Sequence, residues 1–194
     1  MRWLIPKISV SNWVLPIFVL MVFVVPLNVF TALFVSALFH EISHLIALRM
    51  CNVRVYSVVV HPLGAEIVTE GMPYSKELIC AFAGPIGSLM LTTFREFLPL
   101  VAVVAFFQGL FNLLPLAEFD GGRVLYSVLN LLLPPNRAEK LFLMIQKTIW
   151  ITLLILSIFV FVKYLNLRKM IMLLWVVIIV KKPCKANSKR VQCG

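Results

Sequence analysis

The chain has 194 residues, of which 61% are hydrophobic and only 13% charged. That is too little polar surface to cover a water-soluble globule, so an integral membrane protein is expected, with room for one domain and no appended soluble module. Lys and Arg number 18 against 8 Asp and Glu, a net charge of +10, and five of the positive residues (Lys181, Lys182, Lys185, Lys189, Arg190) lie in 181–194. Without interleaved aromatics or a basic helix face, that cluster reads as a cytoplasmic tail against anionic lipid and not as a nucleic-acid site.

Taken in order, residues 1–180 form the expected membrane domain and 181–194 the basic tail. Arg2 and Lys7 precede an apolar run that continues uncharged from Ile8 to His40, too long for a cleavable signal core, so it is read as retained membrane helix. With Pro26-Leu27-Asn28 as the turn, helix 1 is predicted over about 10–25 and helix 2 over 29–49. Residues 53–60 are dense in β-branched side chains, His61 to Gly64 looks like a turn, and 65–69 returns as a second strand. The result is a short β-hairpin at the membrane surface. Helix 3 is expected over 77–94 and helix 4 over 97–117, followed by a loop at 118–123. The apolar piece 124–133, ended by Pro134-Pro135, is too short to span upright; helix 5 fits 139–162 and a thin sixth span fits 170–180.

The expected fold is therefore an all-α membrane bundle of about six segments with a surface hairpin, multi-pass in the cell membrane. With both termini cytoplasmic, Arg49 and Arg54 also fall inside, while Lys163, Arg168 and Lys169 fall outside, against the positive-inside tendency. The four cysteines, 51, 80, 184 and 193, lack metal-ligand spacing and read as free thiols.

The chemistry concentrates near the cytoplasmic end of helix 2, in His40-Glu41-Ile42-Ser43-His44. On a helix, positions i and i+4 share a face, so both imidazoles can reach one Zn²⁺ while Glu41 stands beside the open position to accept a proton from water. Three ionisable groups inside an apolar span are expensive and point to function. A catalytic zinc needs a third protein ligand. Helix 4 must return to the same membrane level, which makes Asp120 the leading candidate, with Gly121 and Gly122 giving the backbone freedom to bring it close. His61 and Glu118 are the rivals.

Three ordered stretches, His40-Glu41-Ile-Ser-His44, Phe82-Ala-Gly-Pro-Ile-Gly-Ser88 and Phe111-Asn-Leu-Leu-Pro-Leu-Ala-Glu-Phe-Asp120-Gly-Gly-Arg123, resemble the motifs of the site-2 protease family of intramembrane zinc metalloproteases. The compact arrangement looks most like the sporulation-type subgroup. The resemblance implies His40, His44 and Asp120 as ligands of one Zn²⁺, Glu41 as general acid/base, and Asn112 as a residue that helps hold the substrate backbone. Ser88 stands where family members often carry Asn, and Ala117-Glu118 where a proline-rich step is usual. The small residues Ala83, Gly84 and Gly87 read as close helix packing.

So read, the chain is an intramembrane endopeptidase acting in regulated proteolysis on a transcription-factor precursor or its inhibitor. Its active site faces the cytoplasm, and its partners are the lipid bilayer, a membrane-tethered protein substrate and an inhibitory membrane protein. Because a transmembrane helix hides its own carbonyls, the substrate must be unwound, and two readings of 53–69 stand side by side: a presenting element whose strand 53–60 holds the substrate extended, or a structural surface hairpin. Two other readings use the same residues: a membrane metal-ion transporter, and a non-catalytic membrane scaffold.

Overall fold

A computed structural model describes residues 7–61 and 64–164. In chain order the elements are β1 (Lys7–Val10), α1 (Val14–Val24), α2 (Leu27–Met50), β2 (Val55–His61), β3 (Gly64–Thr69), α3 (Tyr74–Leu91) with a 3₁₀ turn at Thr92–Phe94, α4 (Pro99–Asn112), α5 (Asp120–Leu132) and α6 (Pro135–Tyr164). Helical membrane architecture with a small sheet is what the sequence leads one to expect. The expected sixth span at 170–180 and the tail at 181–194 lie outside the described residues.

Three segments, 27–50, 74–94 and 135–159, are long and apolar enough to cross a membrane, and α1 and α4 are shorter apolar helices. The packing inverts that of a soluble protein. Along α2, Ala32, Ser36, His40, His44 and Leu48 recur every four residues and are buried, while Leu33, Phe34, Leu38, Phe39, Ile42 and Ile46 are exposed. A stripe with a period of four faces one side of a helix, so its small and polar residues turn to the neighbouring helices and its large apolar ones to lipid. Two small apolar clusters hold the interior: Ala32, Leu91, Val101 and Ala105 on one level, and Ala47, Leu48, Val53 and Cys80 on another. Cys51 and Cys80 are free thiols.

Helix α3 is central, packing against α2, α4 and α5. Gly87 lets it approach α2 closely, since a Cβ there would collide with the Ser43 side chain. Pro85 sits inside α3, fully buried; such a proline is tolerated where neighbouring helices cover the freed backbone.

Several boundaries differ from the sequence reading. Residues 7–10 are a strand, not the start of a membrane helix: β1 pairs in parallel with β2, Ile8 opposite Val58 and Val10 opposite Val60. Four residues with two β-branched side chains carry too little local signal to reveal this, because the partner lies about fifty positions away. The sheet order is β1-β2-β3, with β2 and β3 antiparallel. Helix α4 stops at Asn112, five residues before the expected end, because Pro115 disfavours helical geometry at the residue before it. Conversely, α5 begins at Asp120 itself, where a loop was expected. A carboxylate in the first turn suits the positive end of the helix dipole.

Candidate metal centre

The α2 stripe delivers His40 and His44 one turn apart on the buried face, and α5 delivers Asp120 from the opposite side. The three meet. His40 Nε2 lies 3.0 Å from Asp120 Oδ2, His44 Nε2 lies 3.1 Å from the same oxygen, and the two Nε2 atoms are 3.2 Å apart. All three residues are buried.

The remaining ring nitrogens are engaged. His44 Nδ1 donates to the carbonyl of Cys80 at 2.8 Å, and His40 Nδ1 meets Ser88 Oγ at 2.9 Å. A carbonyl only accepts, so His44 carries its proton on Nδ1 and presents the Nε2 lone pair to the cluster. The His44 lone pair, the His40 Nε2 and a carboxylate oxygen converge on one point, a donor set that suits a cation between them. The size also fits: tetrahedral Zn²⁺ with bonds of about 2.0–2.1 Å requires ligand separations of about 3.3 Å, within a few tenths of the observed triangle.

Gly84 of α3 faces this triangle. A Cβ on it would run into His44 Nε2 and stand 2.6 Å from His40 Nε2, filling the space a metal needs. Its role is thus more than the helix packing expected of it. Gly121 and Gly122 also act differently from expectation. Both are helical and neither has a positive φ; a side chain on either would collide with backbone, Leu113 and Leu114 for the first and Leu116 and Ala117 for the second. They seat α5 directly on segment 113–119.

Asp120 meets both histidines through Oδ2. Its second oxygen, Oδ1, is 3.7 Å from Arg123 Nη1, and Arg123 Nε is 3.8 Å from Glu77 of α3.

Glu41 lies within electrostatic reach of His44, His40 and Asp120, and its Oε1 accepts from the backbone N–H of Ala65 on β3 at 3.2 Å. The rival third ligands are elsewhere: His61 pairs with Glu66 at 3.5 Å, and Glu118 is outside the cluster, its Oε2 buried without a hydrogen-bond partner among the described residues and its carboxyl raised by burial. Asn112 ends α4 half-buried, its Nδ2 donating to the Gln108 carbonyl one turn back. The sequence reading missed the partners of the histidines, Ser88 Oγ and the Cys80 carbonyl. Ser88 was visible as a family departure; a backbone carbonyl leaves no residue-type signal.

Strand β2, expected to hold substrate, is flanked by β1 and β3 and has no free edge. The edge beside Glu41 belongs to β3.

Comparison with known proteins agrees with this picture. The model of peptidase family M50 matches residues 78–156, a window that contains Asp120 and lies beyond the two histidines. The zinc metalloprotease MJ0392 of Methanocaldococcus jannaschii is 30% identical over 115 residues, covering 52% of this chain and 34% of that protein. The chain thus spans about a third of the length of this curated relative. The solved structure of the site-2 protease from Methanocaldococcus jannaschii superposes with a TM-score of 0.65 over 96% of this chain and 95% of that one, at 20% identity, which shows a shared fold.

Proposed function

We propose that the chain is an M50 peptidase of the site-2 protease type, an intramembrane zinc metalloprotease cutting a membrane-tethered protein; the match to the M50 model, the similarity to a zinc metalloprotease and the shared fold support this reading. The observation that carries the reading is the buried triangle of His40, His44 and Asp120 with Glu41 beside it.

His40, His44 and Asp120 hold the ion, which when bound supplies a Lewis acid that acidifies water and polarises a scissile carbonyl. The Cys80 carbonyl and Ser88 Oγ keep the imidazoles turned inward. Glu41 is the proton carrier. With Oε1 tied to the Ala65 N–H, Oε2 takes the proton of the attacking water and returns it to the amide nitrogen of the leaving strand. Asn112, with Nδ2 engaged, offers Oδ1 to the substrate backbone.

The substrate helix must unwind before its carbonyl is exposed. The edge of β3 that is not paired with β2 offers main-chain groups next to Glu41, so an extended segment added along β3 would run past the proton carrier. Arg49 and Arg54 flank the junction of α2 with the sheet, and Lys76 Nζ donates to the Cys51 carbonyl at the same end. Three cations at one end of the bundle support a cytoplasmic position for the site, within a multi-pass membrane protein.

The test is co-expression of the chain with single-span membrane proteins, comparing wild type with Glu41→Gln. The variant keeps side-chain shape and loses the basic carboxylate, so the shortened product should fall by about 10²-fold or more while bound zinc stays at the wild-type level. Near wild-type cleavage by Glu41→Gln would rule the mechanism out.

A further inference from the structure

Between Pro135 and Phe159 only two residues of α6 are buried, Ala138 and Gln146. The rest of that surface is half-buried or exposed and largely apolar, as a lipid-facing helix requires. An amide turned inward from such a helix is costly unless it is bonded, and so asks for a reason.

Gln146 is bonded at both ends to one short piece of backbone. Its Nε2 donates to the Pro115 carbonyl at 2.8 Å and its Oε1 accepts from the Ala117 N–H at 3.1 Å. These groups belong to the irregular segment between α4 and α5, where no helix or strand satisfies them, and they stand five and three residues before Asp120. Leu116 between them is 2% exposed, and its carbonyl closes a turn with the N–H of Phe119 at 2.9 Å. From the other side, the Cβ-free face of Gly122 lies against the Leu116 backbone. The segment is therefore gripped between α6 and the first turn of α5, directly upstream of the carboxylate.

We propose that Gln146 is a positioning residue: by clamping the Pro115 and Ala117 backbone it fixes where α5 starts and hence where Asp120 stands relative to the two histidines. The inference rests on reading Asp120 as a metal ligand. It explains why a helix with little other buried surface contributes an amide at this one level.

The experiment uses the full chain purified in detergent, with zinc affinity measured by chelator competition and the thermal midpoint of the metal-free protein measured alongside. Gln146→Met keeps length and removes both hydrogen bonds; Gln146→Glu keeps the acceptor for Ala117 and loses the donor for Pro115. Zinc should bind about 10–100-fold more weakly to Gln146→Met, the range seen when outer partners of a metal site are removed, and more weakly than wild type to Gln146→Glu, which also serves should Gln146→Met not fold. A merely structural role would lower the midpoint and leave the affinity alone, so unchanged zinc affinity in either folded variant overturns the clamp. A wild-type chain that binds no zinc takes down the metalloprotease reading, and the clamp with it.

Discussion

Helix α2 and segment 113–120 supply the same cluster, but they are held in opposite ways. The histidines ride on a regular 24-residue helix, whose hydrogen bonds fix their spacing and whose buried stripe fixes their direction. Asp120 follows seven residues of irregular chain positioned by other elements: Gln146 bonds its backbone from α6, and the Gly121-Gly122 face sits on it from α5. Irregular backbone inside a bilayer survives only where protein satisfies it. One half of the site is thus set locally and the other by tertiary contacts, and substitutions should distinguish the two.

The largest effect is expected on the helix side from a residue that is no ligand. Gly84→Ala puts a methyl against both Nε2 atoms, so zinc should be lost from the purified protein and cleavage should become undetectable. Gly71→Ala, where nothing lies within 4 Å, should change neither. Full metal content in Gly84→Ala, measured by elemental analysis, would break the account of why α3 carries glycine there.

A smaller effect is expected from Ser88→Ala, which removes the partner of His40 Nδ1 and leaves the ring otherwise packed. Zinc affinity should weaken by about 10-fold, the low end for outer partners. The equivalent experiment at His44 is closed to substitution because its partner is the Cys80 carbonyl. If Ser88→Ala binds zinc as tightly as wild type, helix geometry alone orients His40.

This contrast also explains what could be read in advance. The i, i+4 histidines with an intervening glutamate are a local pattern, legible without any fold. Asp120 was legible by chain order and motif, but the way its approach segment is held was not, because Pro115 and Ala117 are bonded by an amide about thirty positions downstream. Strand β1 escaped notice for the same reason: Lys7–Val10 is extended only because β2 lies alongside it. The hairpin was foreseen with nearly its true boundaries, yet its first strand was read as exposed, since composition does not say that a third strand covers β2. Gly84 read as a packing residue because a glycine's sequence neighbours do not reveal which atoms stand opposite its missing Cβ.

The central claim is that His40, His44 and Asp120 hold one ion together, and metal stoichiometry on purified protein tests it most directly. The account predicts one zinc per wild-type chain and its loss in both His40→Ala and Asp120→Asn, since two remaining ligands bind too weakly to retain it through purification. Full zinc retained by either variant, or none in the wild type, would contradict it.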